Sequence, residues 1–444
     1  MYLPPQVHLC ITALENAGFA AYAVGGCVRD TLLGLVPHDY DLCTAATPAD
    51  ICRVFAAYPL VKAGEKHGTI GVVLDGAVYE ITTFRTEGSY ADSRHPDWVA
   101  FVTDINQDLA RRDFTVNAMA YSPTRGLADP FGGQQDLRHH ILRAVGQPDQ
   151  RFTEDALRIL RGVRFAARYH LSPEPETKRV MLALAPRLHH IAVERIFDEL
   201  CKLLPLVTAE DLCTFAPILA EVIPALKGTL GFDQRNPHHI YDLFTHTAHV
   251  VETVAPQLHL RWAALLHDVG KLQTFSLDDQ GVGHFYGHAA CSAQMTEDIL
   301  RNLKAPNALR EQVVALVKLH MTLIEPEKKV VRRWMGRLGV EQMEWLLQLQ
   351  EADLCSTATG RDGEMDRFSQ IRSYMAQIQA ENACLSLKDL AVGGNDLIAL
   401  GYSGPGIGKM LHALLSQVLD EQLPNEKAAL LEAAKQSIDH KGML

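Results

Sequence analysis

Val24-Gly25-Gly26-Cys27-Val28-Arg29-Asp30, followed by Asp39-Tyr40-Asp41-Leu42, is the stretch whose reading decides the fold. The first run carries a strand into a helix through two glycines. Such a turn lets backbone N–H groups approach a phosphate at a helix N-terminus, with Arg29 nearby as a charged clamp. The second run reads as a short strand, on which Asp39 and Asp41, two residues apart, point to the same face. Paired carboxylates at that spacing can hold two Mg²⁺ ions roughly 4 Å apart, one activating an attacking hydroxyl and one neutralising a triphosphate. An isolated pair of this kind is more often a solvated strand end, so its surroundings carry the argument. Residues 70–74 and 78–84 predict a hairpin turning at Asp75-Gly76. Glu80 lies on its second arm, either as a third carboxylate for the same metals or as a surface side chain on an edge strand.

Working outward, residues 6–23 read as an amphipathic helix that runs into Tyr22-Ala23-Val24. After about Pro148 the pattern becomes helix after helix, broken at Pro205, Gly228–Pro237, Asp278–Gly287, Gly360–Gly363 and Gly393–Pro405. The expected fold class is therefore α+β: a head with a small mixed sheet over residues 1–147, a helical neck over 148–205, a helical body over 206–358 and a helical tail over 359–444.

The chain has 444 residues, enough for more than one core, and its 47% hydrophobic and 21% charged composition is that of ordinary globular material. No run of residues is long and apolar enough for a membrane span, and Met1–Leu14 lacks the basic-then-apolar pattern of a signal peptide, so a cytoplasmic location is expected. Nine scattered cysteines without CxxC spacing argue for reduced thiols. A net charge of −11 excludes indiscriminate coating of nucleic acid. Arginines nevertheless recur from Arg138 to Arg168, which suits a nucleotide or RNA met at one place. On a helix, Arg158, Arg161, Arg164 and Arg168 share about a third of the circumference, away from Ile159, Leu160, Val163 and Ala167. With no acidic partners at i+4, that stripe is expected to await an anion.

Four ordered runs complete the pattern: Gly25-Gly26-x-Val28-Arg29-Asp30-x-Leu32-Leu33-Gly34 with Asp39-x-Asp41; Arg111-Arg112-Asp113-Phe114-Thr115-Val116-Asn117-Ala118; Asp129-Pro130-Phe131-x-Gly133; and Glu154-Asp155-x-x-Arg158-x-x-Arg161-x-x-Arg164-Phe165-Ala166. Together they resemble class II tRNA nucleotidyltransferases and bacterial poly(A) polymerases of the polymerase β superfamily. The resemblance implies template-independent addition of CCA to tRNA from CTP and ATP. It makes Asp39 and Asp41 the Mg²⁺ ligands with Glu80 beside them, Gly25, Gly26, Arg29 and Arg112 contacts of the triphosphate and sugar, and Arg161 and Arg164 further nucleotide-binding arginines. Asp155 with Arg158 is implied to read the incoming base, and their i, i+3 spacing would set a carboxylate and a guanidinium side by side as an imitation of a complementary base edge. The segment Thr83–Pro96 resembles the loop used in switching from C to A addition. A mildly acidic stretch, Glu421–Lys435, near the C-terminus favours CCA addition over poly(A) synthesis, the alternative within the family. Neither membrane nor DNA is an expected partner.

His267-Asp268 follows the apolar run Trp262–Leu266, and imidazole with carboxylate suits transition metals that leave water in open positions. With His246 before it and Asp353 after it, the pair resembles the HD phosphohydrolase pattern over about residues 238–355, with His288 and His320 as optional further ligands and Ni²⁺ or Mn²⁺ as the implied metal. Ala289 departs from that pattern, where a glutamate often follows the corresponding histidine. Two readings stay open: an active metal-dependent phosphohydrolase, or a helical fold kept for tRNA docking. A phosphohydrolase with a dead head is the rival class, and it would require loss of the carboxylates that Asp39 and Asp41 retain.

Overall fold

Helix α1 (Pro5–Asn16) stops earlier than its amphipathic pattern suggests, because Gly18 adopts a left-handed backbone (φ +90°) and the chain turns into strand β1 (Ala21–Val24). All four side chains of β1 are buried, which explains why an unbroken apolar run reads equally as helix. In this computed structural model, residues 1–87, 99–357 and 361–441 are described. Contacts divide the chain into two compact units, Met1–Lys227 with Asn302–Lys304, and Gly228–Arg301 with Ala305–Leu444.

The first unit holds a seven-stranded mixed sheet. After α2 (Gly26–Leu32) come β2 (Leu42–Thr44), α3 (Pro48–Val54), β3 (Leu60–Val61), β4 (Thr69–Leu74) and β5 (Ala77–Thr83). The ribbon of β6 (Arg85–Glu87) and β7 (Val99–Phe101) follows, then α4 (Ile105–Ala110), β8 (Ala120–Ser122) and β9 (Gly126–Ala128). The strand order is β3-β4-β5-β2-β1-β8-β9, with β2 and β5 parallel and the other neighbours antiparallel. The β4–β5 hairpin turns at Asp75 (φ +50°) and Gly76 (φ +81°), as expected for a two-residue turn with both φ values positive. Tyr22, Val24, Cys43, Phe84, Leu109, Ala118 and Val145 form the core between sheet and helices.

Helices α5 (Gly133–Arg138), α6 (Pro148–Glu154), α7 (Leu157–Tyr169), α8 (Pro175–Leu184), α9 (Val193–Leu203) and α10 (Ala209–Val222) complete this unit. The change from sheet to helix falls near residue 148, as the sequence suggests, but both sides of it belong to the same unit.

The second unit is helical. It comprises α11 (Leu243–Thr253), α12 (Leu258–Leu266), α13 (Lys271–Thr274), α14 (His288–Asn302), α15 (Asn307–Leu319), α16 (Lys328–Leu338), α17 (Val340–Cys355) and α18 (Arg361–Ala380). The break at Asp278–Gly287 is bridged by a short antiparallel pair, Ser276–Leu277 just before it with Gly283–His284 inside it, and Gly363 lies inside α18 rather than in an interruption. The tail helices α19 (Gly394–Ala399), α20 (Pro405–Leu419) and α21 (Lys427–Lys441) close over Val392, Leu397, Leu414, Val418 and Leu430. Among the described residues no helix is long and apolar enough to cross a membrane.

Candidate active site and metal centre

Asp39 and Asp41 stand on backbone leading into β2 rather than within it, since the strand begins at Leu42. The Asp41 carbonyl still accepts from Val24 N at 2.9 Å, and Leu42 pairs with Ile81 of β5, so the approach is held by both neighbouring strands. Both aspartates line a cavity of about 630 Å³, and so do Gly25, Gly26, Arg29, Arg112, Asp155, Arg158, Arg161 and Arg164. Every nucleotide contact named from the sequence is therefore in one place. Glu80 is exposed on β5 and lines a neighbouring cavity of about 580 Å³, which has Asp39 and Asp41 in its wall as well. The aspartate pair thus stands between an arginine-rich cavity and one with a third carboxylate.

Burial pushes the Asp41 carboxyl above its usual range; Arg112 opposes this and Asp39 adds to it. Crowded, partly desolvated carboxylates of this kind are suited to a divalent cation. Gly25 has φ +76°, and a Cβ there would come within 2.8 Å of Arg112 Nη1, so the glycine admits the guanidinium against the backbone. Arg112 Nε is buried without a hydrogen-bond partner, leaving donor capacity beside the cavity. Arg29 differs. It donates to Asn117, Asp30 and Tyr169, and its guanidinium lies 4.1 Å from the Tyr169 ring centroid. It ties α7 to the glycine turn while adding charge to the cavity wall.

Three of the four arginines in the α7 stripe are not left waiting for an anion, contrary to expectation. Arg158 pairs with Glu154 at 2.7 Å, Arg161 with Asp113 at 2.7 Å and Arg164 with Glu199 of α9 at 2.8 Å. Glu154 is an i,i+4 partner on the N-terminal side of Arg158, which a count running only C-terminal from each arginine misses, whereas Asp113 and Glu199 come from other segments. Burial pushes the Asp113 carboxyl up, but Arg161 and the Asn117 amide outweigh it and hold it at about 2.

Asp155 and Arg158 do not share a helix face either. Asp155 is extended (φ −142°) between α6 and α7; it accepts from Leu157 N at 3.0 Å and from Arg195 Nη2 at 2.9 Å. Arg158 donates to the carbonyls of Arg151 and Arg111 at 3.1 and 3.0 Å. The two meet at the cavity by separate tethers. Arg195 has no motif around it and was legible only as one charge on a helix; Asp113 and Asn117 sit inside a quoted motif, without an assigned role. From residue 88 the loop Thr83–Pro96 lies outside the described residues.

In the second unit, His246 on α11, His267-Asp268 at the end of α12 and Asp353 on α17 converge. His246 Nε2 is 3.0 Å from Asp353 Oδ1, and His267 Nε2 is 3.2 Å from Asp268 Oδ2. His288 and His320, from the start of α14 and the end of α15, reach the other oxygen, Asp268 Oδ1, at 3.3 and 3.7 Å. Asp268 therefore stands between two groups of candidate ligands, and Ala289 does not keep His288 away.

Each ring is oriented from behind. Nδ1 of His246, His267, His288 and His320 faces the carbonyls of Ser356, Ala264, Phe285 and Val317 at 3.3, 2.7, 2.8 and 2.6 Å. That leaves the Nε2 lone pairs aimed inward, as metal-bound histidines are held. His246 Nε2 and His267 Nε2 are buried without hydrogen-bond partners, and Asp268 Oδ2 is paired with Lys271 Nζ at 2.7 Å. Burial opposes ionisation of Asp268, yet His267 and Lys271 hold its carboxyl well below the usual range; for Asp353, His246 does the same. Lys271, itself held by Gln234 at 2.9 Å, was not anticipated from sequence.

The whole chain resembles known proteins. It is 34% identical over 425 residues to the CCA-adding enzyme of Limosilactobacillus fermentum, covering 96% of this chain and 94% of that one. The chain belongs to the CCA-adding enzyme family. The CCA-adding enzyme of Streptococcus mutans is 31% identical over 445 residues, covering 99% of each chain. The poly A polymerase head domain family matches residues 21–143, and tRNA nucleotidyltransferase domain 2 matches residues 283–434. The crystal structure of the Bacillus stearothermophilus CCA-adding enzyme in complex with CTP superposes with a TM-score of 0.74 at 28% identity, covering both chains fully.

Proposed function

We propose that the chain adds CCA to the 3′ end of tRNA from CTP and ATP, releasing pyrophosphate, in the cavity between the glycine turn and α7. The observation that carries this is the meeting of Asp39 and Asp41 with Arg112, Arg158, Arg161 and Arg164 around one space of about 630 Å³ in a member of the CCA-adding family. In each addition the terminal tRNA hydroxyl oxygen bonds the α-phosphorus, the bond to the bridging pyrophosphate oxygen breaks, and the hydroxyl proton is lost. Asp39 and Asp41 would hold Mg²⁺, which supplies charge neutralisation and a more acidic hydroxyl; Glu80, across the neighbouring cavity from them, would be a third carboxylate for the same metals. The arginines offset the triphosphate charge, and Arg112 has a free donor for it. Asp155, held by Arg195, accepts from an exocyclic amino group, and Arg158 donates to the adjacent ring nitrogen, a pattern common to cytosine and adenine. The neck, body and tail segments of residues 148–444 are proposed to hold tRNA by shape and backbone, and a cytoplasmic location accords with a tRNA substrate. Purified protein given tRNA that lacks its terminus, labelled CTP and ATP, and Mg²⁺ should restore CCA. Extension by A alone would point instead to poly(A) synthesis.

A second reading concerns the helical unit. We propose that His246, His267, Asp268 and Asp353, with His288 and His320, hold Ni²⁺, Mn²⁺ or a related cation and that this centre hydrolyses phosphoesters. The oriented imidazoles and orphaned buried Nε2 atoms support the binding. A cation there would supply an activated water; the water oxygen would bond phosphorus, the phosphorus–alkoxide oxygen bond would break, and the leaving alkoxide would take the proton from the water. Metal content of the purified protein and hydrolysis assays with added Ni²⁺ or Mn²⁺ test it; neither metal nor turnover would leave a helical fold kept for tRNA docking.

A further inference from the structure

The six side chains of the helical metal centre are not equally accessible. His246, His267, Asp268 and His320 are sealed and His288 nearly so, whereas the Asp353 side chain is 22% exposed. Asp353 and His320 open onto a cavity of about 240 Å³, walled by the segment His320–Leu323, by α17 and by Arg367 and Phe368 of α18. This cavity joins the centre to solvent.

Two features of the cavity select what enters. Arg367 is the cation in its wall, and among the described residues it has neither an ion pair nor a hydrogen bond; its Nε is buried without a partner. Nearby Arg372 shows the contrast, since it is taken up by Glu344 and Glu351. Among the described residues no carboxylate pairs with this half-buried guanidinium beside the candidate ligands, and it fits a phosphoryl group, which it can grip with two parallel donors. Its flat group lies 4.8 Å from the Phe368 ring centroid, which limits its rotation. At the mouth, Met321 and Leu323 are 58% and 62% exposed, two large apolar side chains flanking one threonine. Gln350 holds that segment by donating to the carbonyls of His320 and Thr322 at 3.0 and 2.8 Å. A cavity of about 240 Å³ takes a phosphate and a sugar but little more. A base would remain at the mouth, against the apolar pair.

We infer that this cavity is the substrate site of the second centre, that its ligand is a nucleoside phosphate, and that Arg367 clamps the phosphate while Met321 and Leu323 receive the base. The inference rests on the reading of the centre as a phosphohydrolase. The test uses full-length protein loaded with Mn²⁺ and measures competitive inhibition of bis(p-nitrophenyl) phosphate hydrolysis by inorganic phosphate and by AMP. R367A should weaken both inhibitors by about tenfold or more, with R367K intermediate, and metal content should equal that of wild type. M321A combined with L323A should weaken AMP by about fivefold and leave inorganic phosphate unchanged. If wild type holds no metal or hydrolyses nothing, the reading of the centre fails and this inference with it. If wild type is active and R367A inhibits like wild type at equal metal content, the clamp alone is overturned. Equal loss of AMP and phosphate binding in M321A/L323A overturns the base platform.

Discussion

Arg195 Nη2 stands 2.9 Å from Asp155 Oδ2, so a helix-borne cation fixes the carboxylate that faces the nucleotide cavity. Arg158 is fixed independently by Glu154 and by the carbonyls of Arg151 and Arg111. Loss of Arg195 should therefore loosen Asp155 without moving Arg158. R195A is expected to lower kcat/KM for CTP and ATP by on the order of tenfold and to narrow discrimination against UTP and GTP, with R195K restoring part of it. D155N should lose discrimination more strongly, because an amide can also donate to a carbonyl. Single-nucleotide incorporation with each of the four triphosphates checks both; unchanged preference in D155N would show that Asp155 does not read the base. Exchanging Asp155 and Arg158 is a poor test, since it would set an aspartate against Glu154 and two carbonyl oxygens.

Asp39 and Asp41 share one cavity with all the arginines, which predicts one site for both nucleotides. D39A and D41A should each lower C and A addition together by on the order of 10³-fold, the loss expected when several kcal/mol of charge stabilisation is removed. Gel-resolved addition to tRNA substrates ending before each position measures the two steps. Loss of one nucleotide only would require separate sites.

Gly25 is constrained twice, by φ +76° and by the Arg112 guanidinium 2.8 Å from where a Cβ would stand. G25A is expected to cost about 1–2 kcal/mol of stability from the backbone alone. By displacing Arg112 it should also raise KM for both triphosphates. A parallel rise for CTP and ATP, seen in initial rates, would place the effect at the triphosphate rather than the base.

Asp113 gives a pH dependence with a defined sign. Its folded value of about 2 lies below the ordinary 3.8, so its stabilising contribution is full above the ordinary value and disappears as pH falls through about 2. The contribution is about 2 kcal/mol at neutral pH. Urea unfolding of wild type and D113N should differ by about that amount at pH 7 and converge between about pH 4 and pH 2. A constant difference across that window would mean that the Arg161–Asp113 pair is not its source.

His267 has its Nδ1 2.7 Å from the Ala264 carbonyl and its Nε2 among the candidate metal ligands. H267A should reduce bound metal by on the order of tenfold or more and abolish metal-stimulated hydrolysis. CCA addition should remain near wild type, since no ligand is shared with Asp39 and Asp41. Elemental analysis alongside both assays decides it; parallel loss of CCA addition would tie the helical centre to the transferase.

Local sequence determined much of this. The glycine turn, the Asp75-Gly76 hairpin and the helix over Leu157–Tyr169 follow from backbone preferences and periodicity that act within a few residues. The motifs named residues that the fold brings around one cavity, and the His and Asp spacing named side chains that converge in the helical unit. Only the tertiary structure decided the partners of the charges. The α7 arginines find Asp113 and Glu199, Asp155 finds Arg195, and His288 and His320 join Asp268, all across long stretches of chain. Likewise, α1 ends at Asn16 because the following apolar run is taken into a sheet, which no helix-period count can register. Side-chain pairing between distant segments depends on where packing brings them. A sequence fixes which charges and ligands are available, and the fold sets which of them meet.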